Sequence, residues 1–440
     1  MMQPLKHQSD LIATVREKGQ SRVLLHWGLG SGKTLAATML SREWADPIKV
    51  IVCPKSLVSM WVKFLGSEGE TVQDLTANAQ LIPGYNVINY DLLIYRPQLV
   101  KALQREIYTL ILDESSYIKT HTAKRSKICV KLGDKAAHVC MLSGTPCGGH
   151  YEYMWTQGHL LGWEINYKAY QAAFCNRVEI EVNGRRVQIL DRRDPYRNLD
   201  ILRQRLRAHG MYQLRTEDCV SLPEATDMTI EVESTPEYRR FARDRIISLP
   251  DGTDLVGDHI LSQRQGMRRL ASSYNPNKLQ AVEDLLESTA ERVVIFYQFA
   301  RDYENLKALC GKLDRPVSAI NGQVKDLTAY EQQADSVTLV QWQSGGMGLN
   351  LQKARIEVFY SLTDSVEQYQ QARGRIRRMG QTHPCIYYNI AARGTVDGKI
   401  MRALERGIDY DAELFVADYP DYAGDGDEGE VTDYGTGEDL

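Results

Sequence analysis

Short apolar runs alternate with amphipathic, helix-period stretches along most of the chain. In the first half, Leu11, Ile12 and Val15 share one face of a helix predicted over residues 8–18, and an apolar strand follows at 23–26. Further strands are predicted at KVIVCP, NVINY, YTLILDE and HVCMLSGTP. Strands that alternate with helices indicate a largely parallel sheet covered by helices on its faces.

The same alternation returns after residue 276. A helix over 278–287 has Leu279, Val282, Leu285 and Leu286 on one side, and strands are predicted at RVVIF, PVSAI, SVTLVQ, IEVFYS and CIYYNI. The intervening chain is less regular, with a hairpin expected around residues 183–184 and an Arg-rich helical stretch at 236–275. The predicted fold class is therefore α/β, with two tandem parallel-sheet domains and helical insertions.

These patterns predict three segments. A first domain covers residues 1–222, with an irregular or helical insertion at about 150–215. A second domain covers 223–408, with a helical insertion at about 236–275. An acidic segment at 409–440 completes the chain.

Charge is distributed unevenly in this sequence of 440 residues with a net charge of −4. Residues 409–440 hold twelve Asp and Glu and no Lys or Arg, whereas the preceding 408 residues carry 53 basic against 45 acidic side chains. The body is mildly basic, which is compatible with a polyanionic partner. The acidic segment is expected to be disordered. It is either a solubilising end or a strip that masks the protein's own binding surface or binds a protein partner.

Membrane and disulfide-rich classes are disfavoured. No apolar run approaches the roughly 20 residues of a membrane span, and the first residues lack a signal-peptide pattern. A cytoplasmic location is expected. The eight cysteines include no CxxC pair, which disfavours a zinc ribbon and predicts reduced thiols.

The stretch HWGLGSGKTLAA, at 26–37, has the features of a phosphate-binding loop between a strand and a helix. Lys33 is predicted to reach the β- and γ-phosphates, and the Thr34 hydroxyl to bind Mg²⁺. Trp27 stands where the longer form of the pattern has its first glycine. The loop residues predicted to bind nucleotide are Gly28, Gly30, Ser31, Gly32, Lys33 and Thr34.

A second candidate is LILDESS at 110–116, an apolar strand that ends in two carboxylates. Asp113 suits Mg²⁺ coordination, and Glu114 suits the orientation and deprotonation of an attacking water. Two adjacent acids after a phosphate loop favour hydrolysis over transfer to an acceptor.

A third candidate is QQARGRIRRMGQ at 370–381, on a helix predicted to be capped by Asp364 with Glu367 three residues later. Gln371, Arg375 and Arg378 fit the pattern QxxGRxxR. The spacing of three predicts both arginines on one helix face, where they could reach the γ-phosphate. The alternative is a solvated basic helix.

The order of these segments resembles the motor of superfamily-two helicases, and within it the Snf-type branch that includes chromatin remodellers. The similar segments, in order, are LKHQ, GLGSGKT, VIVCPKSLVSMW, NVINYDLL, DESSYIK, LSGTP, LRTEDCVSLP, VVIFYQF, QSGGMGLNLQKA and QARGRIRRMGQ. The third ends in Trp61. Thr216 and Asp218 replace basic residues of the family pattern.

This resemblance implies two RecA-like domains with ATP and Mg²⁺ in the cleft between them. Lys33, Asp113, Glu114, Arg375 and Arg378 would be catalytic. In addition, the nucleotide would contact Gln8, which would read adenine, and Gln371. Residues implied to couple ATP hydrolysis to DNA are Lys55, Ser56, Ser143, Thr145, Gly345, Gly346 and Asn350.

The implied function is an ATP-dependent translocase on double-stranded DNA that serves replication, recombination or repair. Backbone contacts would be independent of sequence. Two alternatives remain: a strand-separating or branch-migrating helicase, and an ATP-gated clamp with negligible turnover. Because the motor motifs occupy nearly the whole chain, a compact phage or bacterial protein is expected.

Overall fold

The computed structural model describes residues 3–77, 80–182, 185–191, 194–219, 222–249, 251–344 and 349–419. The chain forms two compact units. The first extends to Leu222, and the second begins at Pro223, with Asn350 and the stretch Arg378–Thr382 grouped with the first. Each unit contains its own large sheet and core.

In the described residues, the first unit is built on a seven-stranded parallel sheet of order β3-β4-β2-β5-β6-β1-β9. Its strands, including a separate antiparallel hairpin β7–β8, are β1 Arg22–Trp27, β2 Ile48–Cys53, β3 Val72–Asp74, β4 Gly84–Asn89, β5 Tyr108–Asp113, β6 His138–Ser143, β7 Arg177–Val182, β8 Arg185–Leu190 and β9 Met211–Leu214. Its helices are α1 Lys6–Glu17, α2 Lys33–Trp44, α3 Val58–Ser67, α4 Tyr90–Ile94, α5 Pro97–Leu103, α6 Lys124–Gly133, α7 Met154–Leu160, α8 Tyr167–Phe174, α9 Leu199–Ala208 and α10 Thr216–Cys219.

The second unit has a sheet of order β10-β18-β17-β13-β16-β14-β15 in the described residues, parallel except for the short pair β14–β15. Its strands, including a separate hairpin β11–β12, are β10 Ala225–Val232, β11 Ile246–Ser248, β12 Asp254–Val256, β13 Val293–Tyr297, β14 Val317–Ile320, β15 Lys325–Asp326, β16 Val337–Gln341, β17 Ile356–Phe359 and β18 Cys385–Ala392. Its helices are α11 Pro236–Asp244, α12 Ile260–Ala271, α13 Pro276–Glu287, α14 Ala300–Lys312, α15 Thr328–Gln332, α16 Val366–Ile376, α17 Val396–Glu405 and α18 Ala412–Asp418.

Both sheets are covered on two faces, as the continuous apolar strands predict. In β1, Val23 and Leu25 belong to one buried cluster and Leu24 to another, because successive strand side chains point to opposite faces. The helix-period positions Leu11, Ile12 and Val15 are buried on α1. The prediction of two tandem α/β domains with RecA-like sheets is confirmed.

Several local predictions are wrong. The two insertions, predicted to be irregular or helical, also contain strands. In the first insertion β9 pairs with β1 of the main sheet, and in the second β11 and β12 form a hairpin. Disorder from residue 409 is also wrong for the residues described, because α18 forms there. Asp411 caps this helix by accepting a hydrogen bond from the Leu414 N–H, and Phe415 is fully buried.

The helix that carries the arginine motif begins and ends differently from its prediction. Ser365, not Asp364, is the N-cap of α16, and its side chain accepts a hydrogen bond from the Gln368 N–H. Asp364 instead forms ion pairs with Arg264 and Arg268 of α12. Because its carboxylate is paired with these arginines, Asp364 does not cap the helix.

Three further features of the structure bear on the sequence predictions: the cysteines, the hydropathy of the helices and the predicted hairpin. All eight cysteines are free thiols, and seven of them are buried. None of the helices formed by the described residues has the length and apolar character that crossing a bilayer requires. The tip of the predicted hairpin at 183–184 lies outside the described residues, and its two strands pair as expected, from Arg177↔Leu190 to Val182↔Arg185.

Candidate functional site

The glycine loop connects the end of β1 to the start of α2. Gly30 and Gly32 have φ angles of +73° and +79°, in the left-handed region that favours glycine. Helix α2 begins at Lys33, with Gly32 as its N-cap. The loop therefore leads directly into a helix N-terminus, where unpaired backbone N–H groups favour an anion.

Position 28 requires a glycine because Thr216 packs directly against it. A Cβ at this position would lie 2.1 Å from Thr216 Oγ1 and 2.7 Å from the Thr216 nitrogen. The Gly28 N–H donates to the Leu214 carbonyl at 2.8 Å, and Thr216 Oγ1 donates to the Leu29 carbonyl at 2.9 Å. The segment from β9 to α10 thus holds the loop from one side. The sequence does not reveal this role, because in the sequence Thr216 is only a departure from the family pattern.

We expect Gly28→Ala to displace the loop and to lower the free energy of unfolding by about 1–3 kcal/mol, the usual cost of overpacking. Calorimetric melting and nucleotide binding would measure both effects. Gly66→Ala is the control, because an added Cβ there meets no described heavy atom within 4 Å. A Gly28→Ala protein with unchanged nucleotide affinity and melting temperature would contradict the assignment.

Helix α1 is bound to the loop by its first turn. Gln8 is buried, and its Nε2 donates to the Gly32 carbonyl at 3.0 Å while its Oε1 accepts from the Leu5 N–H at 2.8 Å. His7 Nε2 lies 2.8 Å from the Ser31 carbonyl oxygen. The structure brings Gln8 to the loop, and its contact with adenine stays a prediction.

The Lys33 ammonium lies over the loop. Its Nζ donates to the Trp27 carbonyl at 2.9 Å and to the Gly28 carbonyl at 3.1 Å. Trp27, which replaces a glycine of the longer pattern, is buried at the end of β1 and contributes its carbonyl here. The positive charge is therefore positioned at the loop, where a phosphate would compete with these two carbonyls for it.

Asp113, the last residue of β5, is held by three hydrogen bonds. Trp61 Nε1 donates to Asp113 Oδ2 at 2.7 Å, and the Glu114 N–H donates to Oδ1 at 3.0 Å. The Tyr90 hydroxyl donates to the Asp113 carbonyl at 2.8 Å. Burial raises the pKa of Asp113, while the Trp61 hydrogen bond and the charge of Lys33 act in the opposite direction. The sequence does not predict the contact with Trp61, because in the sequence this tryptophan is only the end of a motif.

Glu114 adopts an unusual backbone conformation, with φ +50° and ψ +60°. For a residue other than glycine, this left-handed geometry costs on the order of 1 kcal/mol. Such strain clusters at functional sites. This conformation directly follows the last residue of β5.

The predicted residues of the first unit gather at one edge of its sheet. Strands β2, β5, β6 and β1 are consecutive neighbours, and their carboxyl ends lead to Lys55 and Ser56, to Asp113, to Ser143 and to the glycine loop, respectively. Thr145 follows β6, and its N–H donates to Ser143 Oγ at 3.1 Å. Ligand sites of open parallel sheets lie at this edge.

Part of the arginine motif lies on α16 of the second unit, whereas Arg378 and Asn350 are grouped with the first unit. Gln371 Nε2 donates to Glu367 Oε1 at 3.1 Å, and Arg375 lies near the helix C-terminus. Arg378 is not on the same helix face as Arg375, because α16 ends at Ile376 and the chain then turns through Gly380, whose φ is +99°. Asn350 is exposed. Gly345 and Gly346 lie outside the described residues.

The first unit's residues fit a magnesium nucleotide. The glycine loop is packed so closely that a Cβ on Gly28 would collide with Thr216 and a Cβ on Gly32 with Gln8. In a site of this kind, one hydroxyl and one carboxylate suffice as protein ligands for Mg²⁺, because phosphate oxygens and water complete the octahedron. Thr34 and Asp113 offer that donor set. The described residues contain no cluster of three or more His, Cys, Asp or Glu side chains able to hold a metal.

Comparisons with known proteins agree with this geometry. Residues 277–380 match the helicase conserved C-terminal domain. The chain is 22% identical to the SWI/SNF-related matrix-associated actin-dependent regulator of chromatin subfamily A-like protein 1 of Xenopus laevis, over 88% of this chain and 42% of that protein. It is 26% identical to the DNA annealing helicase and endonuclease ZRANB3 of Mus musculus, over 91% of this chain and 40% of that protein. The chain thus spans about two fifths of the length of these relatives.

Among solved structures, the Sulfolobus solfataricus SWI2/SNF2 ATPase core in complex with dsDNA is similar at 16% identity, with a TM-score of 0.45, over 96% of this chain and 94% of that one. The ordered motifs, the two parallel sheets, the matched helicase domain and the curated relatives all point to one family, whose members use ATP. The chain is similar to the Snf-type ATPases of helicase superfamily two.

Proposed function

We propose that this protein hydrolyses ATP to move along double-stranded DNA. The observation that carries the proposal is the edge of the first sheet, where four neighbouring strands bring the phosphate loop, the Asp113–Glu114 pair and the Ser143–Thr145 segment together. The relatives support it, since one is a DNA annealing helicase and endonuclease and the other is a regulator of chromatin.

Each residue has a distinct part in the proposed reaction. Lys33 holds the β- and γ-phosphates, and Thr34 with Asp113 would hold Mg²⁺, which offsets phosphate charge when bound. Glu114 orients the attacking water and accepts its proton. Arg375 and Arg378 stabilise the charge that develops on the γ-phosphate. Gln8 and Gln371 complete the nucleotide contacts.

Coupling to DNA is proposed for residues that follow the sheet edge and for the segment at residues 345–350. These residues are Lys55, Ser56, Ser143, Thr145, Gly345, Gly346 and Asn350. Hydroxyl, amine and backbone N–H groups bind phosphates without reading bases. DNA affinity should therefore depend little on sequence and should fall steeply as salt is raised.

The test is steady-state ATP hydrolysis with no nucleic acid, with duplex DNA, with single-stranded DNA and with RNA, using Lys33→Ala as the blank. We expect duplex DNA to stimulate hydrolysis most. Stimulation by single strands or RNA alone would overturn the duplex track and favour a strand-separating helicase. Nucleotide binding without turnover in any of the four conditions would overturn the motor and favour an ATP-gated clamp.

A further inference from the structure

The Asp113 carboxylate has a fixed orientation. Oδ2 accepts the Trp61 indole N–H at 2.7 Å and Oδ1 accepts the Glu114 N–H at 3.0 Å, so neither oxygen can rotate without losing a hydrogen bond. Asp113 is 6% exposed and Trp61 is fully buried. Water therefore cannot readily replace the indole as a donor, and in this low-dielectric setting the hydrogen bond to a charged acceptor is strong.

Two segments of the Snf-type pattern meet at this residue. Trp61 lies in the middle of α3, at the end of VIVCPKSLVSMW, and Tyr90 lies at the start of α4, in NVINYDLL. Trp61 holds the Asp113 side chain, whereas Tyr90 holds its main-chain carbonyl at 2.8 Å. Side chain and backbone of one residue are thus positioned from two different elements.

Ordinary packing accounts for only part of this arrangement. A buried tryptophan needs an acceptor for its N–H, and any backbone carbonyl would serve. Trp44 and Trp155 of the same unit donate to such carbonyls, those of Gln20 and Ile165. Trp61 instead donates to a buried carboxylate at the end of β5, beside the residues that bind the phosphates in the proposed function.

We propose that Trp61 is a positioning residue that orients the Asp113 carboxylate to receive Mg²⁺ with the nucleotide. The inference rests on the proposed function and adds a residue to it. Hydrogen bonds from outer residues orient metal-binding side chains in this way, and their loss commonly weakens metal affinity 10–100-fold. Trp61 does not itself touch the nucleotide or the metal.

The test is Trp61→Phe, which keeps an aromatic ring and removes the N–H donor. A fluorescent, non-hydrolysable ATP analogue is titrated with and without Mg²⁺. We expect nucleotide affinity without Mg²⁺ to change less than about twofold, while the gain in affinity on adding Mg²⁺ falls at least about tenfold. In hydrolysis assays, half-maximal activity should require about tenfold more Mg²⁺, with kcat largely recovered at saturating Mg²⁺.

Two matched variants make the result specific. Trp44→Phe removes an indole N–H that donates to the Gln20 carbonyl at 3.2 Å, and it should leave the Mg²⁺-dependent gain unchanged. In an Asp113→Asn background, Trp61→Phe should cause no further loss, because its effect acts through Asp113. If Trp61→Phe does not fold, Trp61→His, which keeps a ring N–H, should retain more of the gain than Trp61→Leu.

The outcomes separate this inference from the proposed function. Equal loss of nucleotide affinity with and without Mg²⁺, or no loss at all, would overturn the positioning role of Trp61. Wild-type protein that hydrolyses no more ATP than Lys33→Ala would overturn the proposed function. The Mg²⁺-dependent binding of the analogue would still decide the role of Trp61 in that case.

Discussion

Replacing Arg375 with alanine is expected to lower kcat for ATP hydrolysis by about 10³–10⁵-fold, the effect of an arginine that stabilises the γ-phosphate in transit. Affinity for nucleotide should change little, because the charge that the arginine meets develops mainly in the transition state. Single-turnover hydrolysis and equilibrium binding of an ATP analogue measure the two effects separately. Arg375 lies in the last turn of α16, whose N-cap is Ser365.

Arg373 provides the matched control on the same helix. Its guanidinium forms an ion pair with Asp227 of β10, lies 4.0 Å from the centre of the Tyr387 ring, and its carbonyl accepts the Tyr387 hydroxyl. Arg373→Ala should therefore lower the melting temperature of the protein, while kcat should fall far less than it does in Arg375→Ala. If both variants reduce kcat equally, or if Arg375→Ala mainly weakens nucleotide binding, the role proposed for Arg375 is wrong.

Replacing Lys278 with methionine is expected to destabilise the protein by about 3–5 kcal/mol, because it leaves a buried carboxylate without its counter-charge. Lys278 Nζ lies 2.7 Å from Asp397 Oδ2, and the two side chains are 0% and 5% exposed. The ammonium also donates to the Tyr360 carbonyl at 3.0 Å. Calorimetry should show a melting temperature lower by roughly 6–20 °C for a unit of this size.

The surface pair between Lys312 and Glu283 is the control for that loss. Lys312 is 67% exposed, so Lys312→Met should leave the melting temperature nearly unchanged. Adding Asp397→Leu to Lys278→Met should recover part of the lost stability, because the apolar pair leaves no unpaired charge buried. If the Lys278→Met and Lys312→Met proteins have the same melting temperature, the buried pair contributes little to stability.

Patterns of local origin were predictable. Strand–helix alternation, the amphipathic face of Leu11, Ile12 and Val15, and the positions of the glycine loop and the Asp113–Glu114 pair depend on neighbours within a few residues in sequence. Element ends were less predictable. Asp364 has the side chain of a good N-cap, yet Arg264 and Arg268, about 100 residues away in sequence, bind it, and Ser365 caps α16 instead.

Contacts distant in sequence decided the rest. Trp61 and Asp113 are 52 residues apart, and Thr216 reaches Leu29 across 187 residues. No periodicity or motif reveals which indole N–H will find which carboxylate, because that depends on how α3 packs against the end of β5. By itself, the sequence determined the two α/β domains and the positions of the residues proposed to bind phosphate and metal. Only the tertiary structure decided how they are held, since a buried donor takes whichever acceptor the packed elements bring within reach.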